Sequence, residues 1–332
     1  MRCNICPHNC EIDDGGRGRC QTIINRSNRL RIDDNLYGNC SVVAVDQIEK
    51  RPFFHFCPGQ KFLSVGLYGC NLECEFCANS SVSQNYDVSF DVSTFYAPKD
   101  LIALAHNRKV AGIVFSYSEP VVHQPYLRAV GHAATETNLR LALKTNGFMN
   151  KPIARDLGTL FDAFNIDIKG SEKQYRKYCQ GSLSVVLDTI ETLLTMGIWV
   201  EITYLVHPEV VHQEKFHKKL AKWIEILNPD VPVHLLYFYR KGHKEYEKEK
   251  LLTIRSIMKE RLNNVYLSNL FAEKFIKHRH TYCSECGELM ISRNKTTEIN
   301  SLECCGKELK GFDLNILYNK EKEKYYDFTR VV

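Results

Sequence analysis

The chain has 332 residues, 44% of them apolar, with a formal net charge of +5. That length exceeds the usual single core, so one large domain with small appendages is expected. No run approaches the roughly 18 apolar residues of a membrane span, the Met1-Arg2-Cys3 opening is unlike a signal peptide, and basic residues interleave with acids, as in Tyr318 to Tyr326. Membrane and nucleic-acid partners are therefore set aside, and a cytoplasmic protein is expected. Fourteen cysteines without a secretory leader point to metal or redox chemistry instead of a disulfide scaffold.

In chain order, the first feature is Cys3, Cys6, Cys10 and Cys20, with Pro7 and several glycines to bend the chain around them. Four thiolates saturate a metal, so a structural site for zinc or an auxiliary cluster is expected within a cysteine-rich module over 1–56. From about residue 57 to 278, β-rich runs alternate with amphipathic helical stretches, the pattern of a parallel sheet wrapped by helices. Lys61 to Gly66 is the first predicted strand. It runs into Gly66-Leu-Tyr-Gly-Cys-Asn-Leu-Glu-Cys-Glu-Phe-Cys77, which spaces Cys70, Cys74 and Cys77 as C-x3-C-x2-C. A zinc site favours two C-x2-C knuckles and four ligands; this loop has three. A [4Fe-4S] cube normally takes four cysteines, so three leave one iron open for another ligand.

Further strands are predicted at Gly112 to Tyr117, Leu139 to Thr145, Ala163 to Lys169, Ile198 to Val206 and Val231 to Phe238, with helices near 98–109, 124–136, 151–158, 184–196, 213–227 and 248–261. Six βα units suit an α/β fold with an incomplete barrel, since a full eight-stranded barrel needs roughly 250 residues. Chemistry then belongs at the carboxyl ends of the strands. There the chain places Glu119 after the second strand, Asn146 after the third, and Asn165, Asp167 and Lys169 along the fourth, where alternation puts all three on one face. Plainer readings are a helix cap for Glu119, an internal salt bridge for Asp167 and Lys169, packing for Phe76, and a hydrogen-bonded core residue for His234. The tail, over 279–332, carries Cys283, Cys286, Cys304 and Cys305 in a zinc-ribbon-like pattern. A regular ribbon repeats C-x2-C; here the last two cysteines are adjacent, which demands a strained local backbone and makes Cys304 the doubtful ligand.

The cysteine loop resembles the signature of the radical S-adenosylmethionine (SAM) superfamily. Read with Cys3-Asn-Ile-Cys-Pro-His-Asn-Cys10, Gly15-Gly-Arg-Gly-Arg-Cys20, Val45 to Lys50, Phe164-Asn-Ile-Asp-Ile-Lys-Gly170 and Thr281-Tyr-Cys-Ser-Glu-Cys-Gly287, the chain resembles the AmmeMemoRadiSam-system radical SAM enzymes, relatives of pyruvate formate-lyase activating enzymes. The resemblance implies a partial (β/α)6 TIM-type barrel, a [4Fe-4S] cluster on Cys70, Cys74 and Cys77, and SAM chelating the open iron. One electron then breaks a sulfonium C–S bond to give methionine and a 5'-deoxyadenosyl radical. It also implies Glu119 and Asn146 near SAM, with Glu119 accepting the ammonium, Asp167 and Lys169 holding its carboxylate and ribose, and Phe76 against the adenine. An electron donor such as ferredoxin or flavodoxin, and a protein substrate, belong to the same expectation.

Two segments depart from the family pattern. His207-Pro-Glu-Val-Val-His-Gln213 stands where an Ile-Pro-Gly-x-Asn-Asp-like turn is expected, and Phe238-Tyr-Arg240 where Phe-His-Pro is expected. Beside the glycyl-radical activase reading stand a radical SAM enzyme acting on a small molecule or transferring methyl groups, and a non-catalytic zinc-stapled scaffold or nucleic-acid adaptor.

Overall fold

The computed structural model describes residues 1–86, 94–239 and 246–309; Arg240, Gly311 and the charged run Tyr318 to Tyr326 lie outside them. An antiparallel hairpin, β1 (Ile23–Asn25) and β2 (Leu30–Ile32), opens the chain. The central sheet follows: β3 (Val42–Gln47), β4 (Lys61–Gly66), β5 (Gly112–Ser116), β6 (Arg140–Thr145), β7 (Ala163–Ile168), β8 (Trp199–Val206), β9 (Val233–Tyr237) and β10 (Val265–Leu267). Its order is β10-β9-β8-β7-β6-β5-β4-β3, parallel throughout except for β3, which runs antiparallel to β4. The six expected strands are β4 to β9. The structure adds β10 and β3, giving an α/β partial barrel with an eight-stranded, mostly parallel sheet.

Parallel strands wrapped by helices are buried on both faces, so they read as continuous apolar runs; every residue of β5 is buried. Helices supply the outer layer. Pro125 starts the helix Gln124–Ala134, a position where its missing N–H has no partner to lose. Tyr126, Leu127, Val130 and Ala134 of that helix face the sheet, at the three-to-four spacing of one helical face.

The amino-terminal end of the barrel is closed by the segment before β4. The N–H groups of Phe54, His55 and Phe56 donate to the Glu201 carboxylate at 2.8, 2.9 and 2.9 Å, and Trp199 Nε1 donates at 3.2 Å. His234 bridges Glu201 (2.7 Å) and Ser268 (2.8 Å), so it is the hydrogen-bonded core residue. Beneath this floor lies a small three-stranded sheet, β11 (Thr281–Tyr282), β12 (Leu289–Arg293) and β13 (Thr297–Ile299), followed by the hairpin β14 (Glu303–Cys304) and β15 (Lys307–Glu308).

Candidate active site

The cysteine loop leaves the carboxyl end of β4 through Gly69, whose φ of +91° falls where residues with a side chain are strained. A Cβ there would also stand 2.2 Å from Thr22 Oγ1 and 2.9 Å from Cys20 O. Glycine is required because the amino-terminal module presses directly on the loop. That module holds the loop by further contacts. His8 bonds Asn71 O at 2.7 Å, Arg19 pairs with Glu73 at 2.9 Å, and Arg19 also donates to Gln180. Cys3, Cys6, Cys10 and Cys20 gather around one small cavity with His8 and Ile5. Burial raises the Cys6 thiol to about 12.

Cys74 and Cys77 bracket one turn, closed by the Cys77 N–H to Cys74 O bond at 3.0 Å, and Cys70 precedes it with its Sγ accepting from Leu72 N at 3.3 Å. All are free thiols. Asn146, at the end of β6, joins this turn to Glu119. Its side-chain amide donates to Asn71 Oδ1 at 2.9 Å and reaches Cys70 Sγ at 3.6 Å, while its backbone N–H donates to Glu119 Oε2 at 2.7 Å. Glu119 also accepts from Thr145 Oγ1 at 2.6 Å and from Val121 N at 3.1 Å. The Val121 bond caps the short 3-10 helix Pro120–His123, so the capping reading is part of the geometry. Burial nevertheless pushes the Glu119 carboxyl up to about 7 against these donors and the nearby Lys169. A carboxylate held above its ordinary range by desolvation is poised to take a cation.

Across the mouth, Asp167 accepts from Lys144 and, at 2.8 Å, from Lys169 Nζ. Lys144 Nζ also donates to Asn165 Oδ1 at 2.6 Å. Asn165, Asp167 and Lys169 therefore share one side, as alternation predicts. Burial opposes the Asp167 charge, yet the two ammonium groups outweigh it and hold the carboxyl at about 2. Burial lowers Lys144, whereas Lys169 is raised despite its burial because Asp167, Cys74 and Tyr175 surround it. The internal salt bridge exists, and it is unbalanced: two ammoniums face one carboxylate.

Three residues escaped the sequence reading of the site. Lys144 is a lysine inside an otherwise apolar strand, and the register pairs it with Asn165. Asn71 is reached by Asn146 from β6 and by His8 from the amino-terminal module. Cys179, distant in sequence, lies with its thiol against Cys74, on a segment whose Cys179 and Tyr178 carbonyls accept from Glu73 N (3.1 Å) and Glu75 N (3.0 Å). Only folding reveals this fourth sulfur.

Phe76 is buried among aromatic rings: His207 at 5.6 Å, Phe238 at 5.4 Å and Tyr178 at 6.3 Å between centroids. The two segments that depart from the family pattern thus supply rings that pack on Phe76. At the far end of the chain, Cys286 Sγ is 3.4 Å from Cys304 Sγ, which is 3.9 Å from Cys305 Sγ. With Cys283 these thiols all lie within 4.8 Å of one another. Cys304 stands inside the group together with its neighbour.

Fold and site define an α/β partial barrel with a three-thiol loop at the carboxyl end of its sheet, flanked by a buried carboxylate and a lysine-rich ion cluster. The sequence model of the Radical SAM superfamily matches residues 65–220. An uncharacterized protein of Methanocaldococcus jannaschii is 30% identical over 93% of this chain and 95% of its own length. The chain is also similar to the 4-hydroxyphenylacetate decarboxylase activating enzyme of Clostridium scatologenes, 25% identical over 48% of this chain and 54% of that enzyme. A solved domain of a pyruvate-formate lyase-activating enzyme from Bacteroides vulgatus covers 47% of this chain and 97% of its own, at 19% identity and a TM-score of 0.42. The chain belongs to the radical SAM superfamily. Membership implies a [4Fe-4S] cluster and SAM. Among the described residues, no helix is long and apolar enough to cross a membrane.

Proposed function

We propose that the chain is an activating-enzyme-like radical SAM enzyme that abstracts hydrogen from a partner, with a glycyl-radical-type polypeptide as the favoured substrate class and a ferredoxin- or flavodoxin-like protein as electron donor. The observation that carries this reading is the company of the three thiols: one fully buried carboxylate and one cation-rich cluster within the same mouth. The donor set fits the implied groups. Cys70, Cys74 and Cys77 would hold the cluster, and the buried Glu119 would accept an ammonium. Lys169, in excess over Asp167, would receive a carboxylate. Asn146 would orient both sides, and Phe76 would offer a ring face to an adenine. When bound, the cluster supplies one electron for cleavage of SAM.

The protein's own part is binding, orientation and exclusion of water. Two oppositely charged anchors, Glu119 and Lys169, suit an amino acid headgroup, whose ammonium and carboxylate would fix its register. Anaerobically prepared protein is expected to carry about four irons and sulfides at the central site and to form 5'-deoxyadenosine from SAM and dithionite. Addition of SAM should alter the electron paramagnetic resonance signal of the reduced protein; an unchanged signal in iron-replete protein defeats the reading. Deuterium from a labelled glycyl-radical-type polypeptide should appear in 5'-deoxyadenosine, and label arriving only from small molecules would remove the activase part.

A further inference from the structure

The carboxy-terminal thiols lie at the opposite end of the barrel from the cysteine loop and play no part in the proposed reaction. Cys283 and Cys286 form a C-x2-C turn, closed by the Gly287 N–H to Cys283 O bond at 3.0 Å with Gly287 at φ +77°. Opposite them, Cys304 pairs with Lys307 across a two-residue hairpin. Its central residues, Cys305 and Gly306, have φ of +54° and +69°. Positive φ at both central positions defines a type I′ turn, where Asn, Asp or Gly is the ordinary first residue. Cysteine is an unfavourable choice there, and packing does not explain it, because Cys305 is exposed. Its thiol nevertheless turns toward Cys304 at 3.9 Å.

The spacing selects the ligand. Bonds of about 2.3 Å at tetrahedral angles bring four sulfurs to about 3.8 Å from one another around a single zinc ion. Sulfur separations of 3.4 and 3.9 Å, with all four within 4.8 Å, match one ion. An iron–sulfur cluster interposes several irons and sulfides and spreads its thiolates wider.

The need for such an ion is visible in the packing. Among the described residues, the ribbon's apolar core consists of Cys283, Met290 and Ile291, flanked by a few half-buried residues. That is too little apolar surface to order the segment alone. Yet the ribbon delivers Arg293 into the barrel floor. Its guanidinium is buried, donates to Thr281 Oγ1 at 2.8 Å, Arg279 O at 3.1 Å and Phe54 O, and lies 4.4 Å from the Phe54 ring centroid. The Phe54 N–H in turn holds Glu201.

We propose that Cys283, Cys286, Cys304 and Cys305 together bind one zinc ion, and that this ion fixes the ribbon which carries Arg293 under the barrel. Zinc and iron are measured together in the full-length protein purified without oxygen, in the parent, in Cys305→Ser and in Cys305→His, which restores a ligand. The expected result is one zinc fewer in Cys305→Ser, zinc regained in Cys305→His, and unchanged iron in all three. Equal zinc in Cys305→Ser and the parent overturns the proposal, as does a loss of iron in place of zinc. A second measurement needs no variant: brief alkylation of the parent followed by peptide mapping. Cys286 and Cys305 are exposed and as free thiols would react at once, so the expected result is protection until zinc is stripped with a chelator. Immediate modification of both without zinc release overturns the assignment.

Discussion

Glu119 and Glu201 are both fully buried carboxylates inside one barrel, yet their environments drive them in opposite directions. Glu201, at the floor, accepts three backbone N–H groups, the Trp199 indole and His234. Burial opposes its charge, but His234, His55 and the backbone donors hold it at about 2. Glu119, at the mouth, has three donors and rises to about 7 because burial outweighs them. A saturated buried charge closes a structure; an under-compensated one has capacity for a ligand. The same contrast separates the ion clusters. His234, which burial holds below its ordinary range, meets Glu201 as one hydrogen-bond partner among several, whereas Lys144 and Lys169 share Asp167 as ion-pair partners.

The largest effect that tests this division is Cys74→Ala, which should abolish 5'-deoxyadenosine formation and lower iron content. Cys179→Ala should retain both, because the proposed reading assigns the cluster to the three loop cysteines alone; iron loss there would make Cys179 a fourth ligand and close the open position that this reading needs. Next, Glu201→Ala should lower unfolding stability by about 3–5 kcal/mol, because the buried N–H groups of Phe54, His55 and Phe56, the Trp199 indole and His234 all lose their acceptor. Denaturant titration measures it. A cost below about 1 kcal/mol would mean that the floor is not held by this carboxylate.

Glu119→Gln should weaken SAM binding by roughly 10- to 100-fold, the scale of one charge-assisted hydrogen bond, without destabilising the fold at neutral pH. Retained affinity by calorimetry would remove Glu119 from the binding assignment. The two carboxylates also predict opposite pH slopes. For Glu119 the folded value, about 7, exceeds the ordinary 4.5, so the folded state keeps a proton that the unfolded chain releases. Stability is then lost as pH rises from 4.5 to 7, by about 3 kcal/mol, and Glu119→Gln should abolish that loss. For Glu201 the folded value is about 2, so its contribution is present above 4.5 and disappears as pH falls toward 2. The smallest effect is expected at Lys144→Met. It removes one of two ammoniums from Asp167, so SAM affinity should fall several-fold with the iron content unchanged.

Much of the architecture was legible in advance because buried parallel strands leave a continuous apolar trace and helices a periodic one. β4 to β9 lie where those traces place them. β10 has only three residues, Val265 to Leu267, too short a run to stand out. β3 hides behind mixed burial, since an edge strand has one neighbour. At the candidate site, the position of Cys70, Cys74, Cys77 and Glu119 after strand ends was readable, because it follows from neighbouring residues alone. Lys144, Asn71 and Cys179 were not, because each acquires its meaning from a residue on another element.

The sequence by itself determined the three-thiol spacing, the alternation that aligns Asn165, Asp167 and Lys169, and the four-cysteine tail, since spacing and side-chain type are properties of neighbouring residues. Tertiary structure alone decided that Glu119 is under-compensated while Glu201 is saturated, that Cys179 stands beside Cys74, and that Cys304 and Cys305 converge on Cys283 and Cys286. Charge compensation and metal geometry depend on distances across the fold. Such distances are fixed only when the sheet closes and brings remote segments into contact.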